Sequence, residues 1–376
     1  GVGVAFYLII ALRKFMRENR GFENFPEPNL VEYCDLVALG TIGDMVPLLS
    51  DNRVLCTTGI NVMKKGTRKG LASLSRISRV ELDTIDSEDI TFRLIPRINA
   101  AGRISHARIC VNHVSSMNRN AHEKTAEILD GLNRKRQIIE QEILDEIGKK
   151  ILADPSIARN PALIMWDHKW NPSVLGIAAS KLSRKYTKPV VLISTADEPA
   201  VGSCRSIESV NIHQAVSGCS PLLEKFGGHA MAAGITIFSK NLDKFRACIN
   251  RYIVDNYSAS DFKSILDVDG TLHLCDINTQ LAEELARMGP FGKSNPEPVF
   301  TCSNIKVVSS VIIGSQHRKM VICQENSNTA PQVNAFQFNI TDADRPPRRF
   351  SRIAFKVKIN KFKKNTCRII IQDFQI

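Results

Sequence analysis

The sequence has 376 residues, more than one ordinary hydrophobic core accommodates, so we expect two or three domains. Its 50 lysines and arginines outnumber its 38 aspartates and glutamates, and the net charge of +12 favours a polyanionic partner such as nucleic acid over a neutral metabolite. No apolar run is long enough to span a membrane and no signal peptide is recognisable, which predicts a cytoplasmic protein with no membrane partner.

The ten cysteines are scattered along the chain and form no C-x-x-C pair. This spacing indicates neither a zinc site nor a disulfide framework. We therefore expect buried free thiols, of the kind that persist in a reducing cytoplasm.

The N-terminal region predicts helices followed by one isolated carboxylate. Gly1 to Arg20 has helical apolar spacing, and because the chain starts with glycine inside this pattern we expect it to be a fragment. Residues 30–39 resume an apolar pattern. Asp44 then lies between a glycine and a proline, where a rigid turn can offer oxygen ligands to a hard divalent cation. A helix cap or turn residue is the alternative interpretation of a lone aspartate.

Residues 52–75 predict a basic helix, and residues 90–95 predict a β-strand that leads to a polar segment, 96–103. Arg97, Asn99 and Arg103 there surround small residues, so guanidinium and amide donors can face a phosphate. Residues 120–152 then predict one long amphipathic helix that connects two motif-bearing regions.

The next region predicts an α/β domain, because apolar strands at 161–166 and 189–194 flank a helix that starts near Trp170. Two later segments are interpreted as loops that face one anion. The first supplies Ser203, Arg205 and Ser206, and the second supplies Gly227, Gly228 and His229 ahead of a strand at 235–237. A tight turn with a core histidine is the alternative for the second segment.

From Leu266 onward the pattern changes to alternating strands, with one helix predicted at 280–288. Apolar residues alternate with Lys356 and Lys358 on one strand, and further basic residues follow at Lys361, Lys363 and Lys364. We expect an OB-like barrel whose basic face holds the backbone of a single nucleic-acid strand through these five lysines. A charged edge strand that prevents aggregation is the alternative.

Four of these segments, taken together and in order, resemble the RecJ family of single-strand-specific DNA exonucleases in the DHH/DHHA1 phosphoesterase superfamily. They are residues 35–47, 96–103, 202–206 and 227–234, and the similarity runs from residue 1 to residue 376. The resemblance implies an α/β fold in four parts. These are the C-terminal part of a DHH domain (1–118), a connector helix (119–154), a DHHA1 domain (155–258) and an OB-like domain (262–376).

The resemblance implies a 5′-3′ exonuclease acting in DNA repair and recombination through a two-metal centre with Mn²⁺ or Mg²⁺. Asp44 matches one catalytic metal ligand of the family. The other ligands, an Asp-x-Asp pair, a further aspartate and an Asp-His-His triplet, would precede residue 1, so we expect this polypeptide alone to be inactive. The family pattern also assigns the phosphate contacts to Arg103, Asn99 and the two glycine-bearing segments. Asn171 and Cys204 depart from it, since many relatives have histidine and glycine there.

The expected partner is single-stranded DNA, with a single-strand-binding protein or a helicase as a candidate protein partner and a monomer as the expected state. Two alternatives stay open. One is a non-catalytic single-stranded-DNA-binding protein. The other is a DHH-family phosphodiesterase acting on short oligonucleotides or cyclic dinucleotides, against which the additional C-terminal barrel argues.

Overall fold

The computed structural model describes residues 1–116, 119–314, 317–325, 331–338, 340, 348–360 and 366–376. Two compact units are distinguished by their contacts. Unit 1 comprises Gly1–Pro96, Ser116–Glu123 and Leu266–Ile376, and unit 2 comprises Arg97–Ser115 and Lys124–Ile265. The barrel region thus groups with the N-terminal helices, and most of the connector helix groups with the region that follows it.

The N-terminal part of unit 1 is helical, as predicted. Its helices are α1 (Val2–Glu18), α2 (Cys34–Gly43), α3 (Ser50–Lys64), α4 (Lys69–Ile77) and α5 (Ser87–Asp89). The single helix predicted over residues 52–75 is in fact the two helices α3 and α4, separated at Gly66, whose φ of +62° favours glycine. Buried residues of α2 and α3 supply much of the local core.

The strand predicted at residues 90–95 is wrong. The backbone forms a π-helical turn at Ile90–Leu94 that continues into α6 (Ile95–Ile104). The Asp86 side chain caps the preceding helical turn by accepting from the amide of Asp89 (2.9 Å). Ile90 and Leu94, four residues apart, are both fully buried, so helical packing overrides the β-propensity of this apolar run.

Unit 2 is an α/β layer built on a five-stranded sheet. The strands are β1 (Leu163–Asp167), β2 (Val190–Ser194), β3 (Ala200–Arg205), β4 (Lys225–His229) and β5 (Ala232–Ile237), in the spatial order β1-β2-β3-β5-β4. Only β1 and β2 pair in parallel; the remaining neighbours are antiparallel. The helices are α7 (Arg108–Ser115), α8 (Arg119–Ala153), α9 (Ser156–Arg159), α10 (Pro172–Tyr186), α11 (Ile212–Gly218) and α12 (Leu242–Asn256).

Helix α8 confirms the long amphipathic helix that the sequence predicts. Helix α10 packs on one face of the sheet, whereas α11 and α12 pack on the other with a core of aliphatic side chains. Asn171, the departure from the family pattern, caps α10 by accepting from the amide of Ser173 (2.9 Å). The two predicted anion-binding loops are instead strands β3 and β4, which lie on either side of β5.

The C-terminal part of unit 1 is a barrel. This confirms the prediction of an α/β fold that is followed by a C-terminal OB-like domain. Helix α13 (Thr279–Arg287) precedes its long strands. The strands are β6 (Gly270–Thr271), β7 (Phe300–Ile313), β8 (His317–Gln324), β9 (Val333–Phe338), β10 (Arg349–Ile359) and β11 (Cys367–Gln375). Pairing of β10 with both β7 and β11 closes the barrel. Lys361, Lys363 and Lys364 lie outside the described residues.

The prediction that every cysteine is a free thiol is wrong, because Cys219 and Cys248 form a disulfide between the end of α11 and α12. The segment that this disulfide closes contains the whole β4–β5 hairpin. Of the remaining cysteines, Cys275 is exposed and Cys204 is fully buried. Within the described residues, no helix combines the length and the apolar character that crossing a bilayer requires.

Candidate nucleic-acid-binding site

One face of the unit 2 sheet carries four of the nine predicted phosphate-binding residues. Side chains directly opposite each other in neighbouring strands point to the same face. Ser203, Gly234 and Gly227 therefore form one row across β3, β5 and β4. In the adjacent row Arg205 is followed by Ala232 and then by His229.

The part of this face over β5 and β4 is open. A Cβ added at Gly227 or at Gly234 would have no atom within 4 Å, so the backbone there can be approached closely. Arg205 and His229 stand two strand spacings apart, roughly 10 Å, on either side of Ala232. We call this face, with the Arg205 guanidinium on one side of it and the His229 imidazole on the other, the trough.

Arg205 is held in place by neutral groups. Its guanidinium donates to the Ser203 hydroxyl (3.0 Å) and to the Cys204 carbonyl (2.7 Å). It also lies against Gly176 of α10, where an added Cβ would be 2.6 Å from Nη2. Burial lowers the pKa of Arg205, and the nearby charge of Arg103 lowers it further. Among the described residues, no carboxylate comes within ion-pair distance of this guanidinium.

Arg103 lies beside Arg205 at the end of α6. Its Nη1 donates to the carbonyl of Ser173, in the first turn of α10 (2.8 Å). Partial burial and the charge of Arg136 lower the pKa of Arg103, whereas Glu140 opposes that shift. Asn99 is exposed one helical turn before Arg103, on the same side of α6.

One buried carboxylate near this cluster is already paired with two other cations. Glu140 of α8 is almost completely buried and pairs with Arg136 and with Lys181 (2.6 Å). Within the described part of the chain, the charges of Arg103 and Arg205 have no acidic partner of their own. An excess of positive charge next to an open glycine face can be balanced by a bound anion.

Sequence reasoning missed Arg136, Glu140 and Lys181, because charges on a long amphipathic helix are normally solvated. The i, i+4 spacing of Arg136 and Glu140 was the available signal.

Three predicted phosphate contacts lie outside the trough. Arg97 pairs with the buried Asp130 of α8 (2.9 Å). Ser206 donates its hydroxyl to the carbonyl of Val210 (2.6 Å). Gly228 lies on the opposite side of the sheet from Gly227, and its φ of +145° shows why glycine stands there. The trough thus brings together Ser203, Arg205, Gly227 and His229, with Arg103 beside them.

Asp44 caps the C-terminal end of α2 in unit 1. Its amide donates to the carbonyl of Gly40 (3.0 Å), and its side chain is exposed. Across the described ranges, no cluster of three or more histidine, cysteine, aspartate or glutamate side chains is placed to hold a metal ion. The residues described therefore do not by themselves fit a two-metal centre.

The barrel presents an aromatic and basic surface that the sequence analysis also missed. We call it the outer barrel face, and its members are His317, Lys319, Phe336, Phe338 and Arg368. His317 pairs across the sheet with Phe338 and their rings lie edge to face at 5.1 Å. Lys319 pairs with Phe336, over whose ring the Arg368 guanidinium lies at 5.2 Å. The alternation of buried and exposed residues along β8 and β9 is the sequence signal that could have predicted this surface.

Lys356 and Lys358 of β10 face two carboxylates. Lys358 contacts Glu88 of α5 and Glu297, both at 2.7 Å, and Lys356 lies 3.6 Å from Glu297. Burial alone would lower the pKa of Lys358, but the two glutamates outweigh it and raise that pKa. These contacts do not fit the expectation that Lys358 is a free phosphate donor.

Comparison with known proteins gives two family matches, the DHHA1 domain over residues 159–255 and the RecJ OB domain over residues 268–373. The Salmonella typhimurium single-stranded-DNA-specific exonuclease RecJ is 33% identical, over 99% of this chain and 66% of that protein. The Haemophilus influenzae protein of the same name is 30% identical, over 100% of this chain and 67% of that protein. The chain thus spans about two thirds of the length of these relatives, and 41% of the Bacillus subtilis one.

Among solved structures, RecJ in complex with Mg²⁺ from Thermus thermophilus superimposes with a TM-score of 0.79 at 24% identity. The match covers 96% of this chain and 54% of that one. A second structure, RecJ in complex with Mn²⁺ from the same organism, gives a TM-score of 0.78. These similarities show that the fold is shared.

Proposed function

Because the chain belongs to the RecJ family of single-stranded-DNA-specific exonucleases, as its motifs predicted, we propose that it grips the phosphates of single-stranded DNA in the trough of unit 2. The protein's activity would be 5′-3′ exonucleolytic hydrolysis in DNA repair and recombination. The observation that carries the proposal is the pair Arg103 and Arg205, two cations without an acidic partner among the described residues, beside an open glycine face.

The trough suits a phosphodiester for three reasons. Guanidinium groups donate two hydrogen bonds at once to phosphate oxygens, and both arginines retain donors after their contacts to neutral acceptors. Gly227 and Gly234 let the sugar–phosphate backbone lie directly on the sheet. His229 can donate a hydrogen bond from the far side of the trough.

We propose a dependence on Mn²⁺ or Mg²⁺, by analogy with the metal-bound Thermus structures. Asp44 is the residue of this chain that would ligate such an ion. Since the described residues do not complete a metal site, we assign no step of hydrolysis to it. The work of this chain is then to hold and orient the strand.

The outer barrel face is proposed as the second contact with DNA. Phe336 and Phe338 can stack on bases, and Lys319 and Arg368 can neutralise phosphates alongside them. A bare strand exposes its bases for such stacking, whereas a duplex does not. This difference would give the preference for single strands.

The test is fluorescence anisotropy with a 5′-phosphorylated single-stranded oligonucleotide and the 376-residue chain. Arg205→Ala should weaken binding about tenfold, since it removes a charge-assisted donor pair. Arg184→Ala, an exposed arginine at the other end of α10, removes the same charge and should change affinity less than about twofold. Equal losses in the two variants would contradict the site.

A second candidate is a single-stranded-DNA-binding protein without catalysis, favoured by the lack of a metal-ligand cluster in the described residues. Incubation of the longest natural form of the protein with Mn²⁺ and labelled DNA separates the two. Tight binding without degradation would support the binding protein, and loss of degradation in Asp44→Ala with affinity retained would support the exonuclease.

A further inference from the structure

A loop at residues 289–298, which we call the docking loop, connects the barrel to the N-terminal helices of unit 1. Carbonyl groups in or next to this loop accept four hydrogen bonds from the N-terminal region. They run from the Leu48 amide to Lys293 (2.8 Å), from Arg53 to Met288 (2.7 Å) and to Gly289 (3.4 Å), and from the Ser87 hydroxyl to Phe291 (2.7 Å).

The docking loop is itself braced. Gly292 and Asn295 exchange two backbone hydrogen bonds (2.9 and 3.2 Å). The Asn295 side chain also donates to the carbonyls of Met288 (3.2 Å) and Pro290 (2.9 Å). A loop tied in this way can transmit a displacement rather than absorb it.

Leu48 is the point at which the docking loop meets the turn that carries Asp44. Its side chain is 1% exposed and packs against Gly292, where an added Cβ would lie 2.7 Å from Cδ1. The other end of the turn is fixed to α2, because the Asp44 amide donates to Gly40 (3.0 Å) and the Val46 amide to Thr41 (3.1 Å). The carboxylate therefore sits on a short turn held between α2 and the barrel.

Lys358 provides a second fastening of the same two regions. Its ammonium joins Glu88, beside Ser87, to Glu297 of the docking loop. Both contacts are 2.7 Å, and the lysine side chain is only 23% exposed. The barrel strand β10 thus contacts α5 directly, in addition to the contacts that the docking loop makes.

We propose that the docking loop is a positioning element for Asp44, with Gly292 as its positioning residue, so that the seating of the barrel sets where this carboxylate stands. The proposal rests on the proposed role of Asp44 as a metal ligand. Through this contact, a strand held on the barrel and the geometry of the cleavage site would be mechanically linked.

Hydrogen–deuterium exchange on the 376-residue chain tests the link directly. Gly292→Ala places a methyl group against the buried Leu48, and exchange of the peptide covering residues 44–48 should become about five times faster. Gly270→Ala is the matched control, a barrel glycine with no atom within 4 Å of an added Cβ, and should leave that peptide unchanged. Unchanged exchange in a folded Gly292→Ala variant would overturn the proposal.

If Gly292→Ala does not fold, a milder variant can be used for the same exchange measurement. Ser87→Ala deletes one hydrogen bond to the docking loop and should speed exchange at 44–48 about twofold, with Ser87→Thr restoring the original rate. No change in Ser87→Ala would equally count against the proposal.

The effect on activity is measured with a natural form of the protein that degrades DNA. Gly292→Ala should raise the Mn²⁺ concentration needed for half-maximal rate about fivefold while KM for DNA stays within about twofold. Simple destabilisation would instead reduce the amount of active protein without changing metal activation, and that outcome would overturn positioning. If no form degrades DNA, the proposed exonuclease fails, whereas the exchange result still decides whether loop and turn are linked.

Discussion

The guanidinium of Arg205 rests against Gly176, where any side chain would occupy its place: an added Cβ would lie 2.6 Å from Nη2 and 3.0 Å from the Ser203 hydroxyl. Gly176 lies inside helix α10, where alanine is intrinsically favoured over glycine by about 1 kcal/mol. Its presence there costs helix stability, and the packing of Arg205 supplies a reason for it.

Gly176→Ala should therefore weaken binding of single-stranded DNA about tenfold, because it displaces the arginine from the trough. The measurement is anisotropy at one fixed salt concentration. Gly148→Ala on α8 is the control, since nothing lies within 4 Å of its added Cβ and alanine should slightly stabilise that helix. Unchanged affinity in Gly176→Ala would show that Arg205 does not act from this position.

Gly227 and Gly228 should respond differently to alanine. At Gly228, with φ of +145°, a Cβ would lie 2.3 Å from the Ala232 carbonyl oxygen, so we expect a loss of about 2–3 kcal/mol in the free energy of unfolding. At Gly227 nothing obstructs a Cβ, so stability should hold while DNA affinity falls, because the methyl group projects into the trough. Thermal unfolding and anisotropy on both variants check this. Equal behaviour of the two would contradict the assigned faces.

For the trough, the sequence predicted which residue types come together better than it predicted the conformation of the backbone that carries them. Arg205, Gly227 and His229, which the sequence predicts to face one anion, do lie on one face of the sheet. Glycine-rich segments lack the β-branched pattern of a strand, so β3 and β4 were predicted as loops. The i, i+4 spacing of Arg136 and Glu140 predicts an ion pair but not its burial, because one helix of charged residues does not reveal which charges a neighbouring helix covers.

Long periodic elements were predictable, and short apolar runs were not. Helix α8 follows from its stripe of isoleucines and leucines, and β10 follows from its alternation. Residues 90–95 contain β-branched and aromatic residues, yet the cap at Asp86 and the burial of Ile90 and Leu94 make them helical. The Cys219–Cys248 pair joins residues 29 apart, and only the packing of α11 on α12 brings them together.

Thiol reactivity should follow burial. Burial raises the pKa of Cys204 to about 12 and those of Cys56 and Cys110 to about 11. A raised thiol pKa means that the reactive thiolate is scarce at pH 8 and accumulates only as the pH approaches the raised value. Iodoacetamide at pH 8 should therefore modify the exposed Cys275 first and leave Cys204 unmodified in the native protein.

Mass spectrometry of the labelled peptides provides the measurement. Without reductant, Cys219 and Cys248 should appear as one cross-linked peptide pair, and with dithiothreitol both should become alkylated after unfolding. Labelling of Cys204 as fast as Cys275 would contradict the burial described for β3. Alkylation of Cys219 in unreduced, unfolded protein would contradict the disulfide.

Two barrel lysines should separate DNA contact from barrel docking. Lys319 is exposed on the outer barrel face, whereas the charge of Lys358 is already matched by Glu88 and Glu297. For single strands, each phosphate contact contributes about 0.7 to the slope of log affinity against log salt. Lys319→Met should flatten that slope by about this amount. Lys358→Met should leave the slope unchanged but lower the melting temperature, because the largely buried Glu297 loses its nearest cation. Anisotropy titrations at four salt concentrations, with thermal unfolding alongside, measure both effects. A flatter slope in Lys358→Met alone would move the DNA path to β10, as the sequence first indicated.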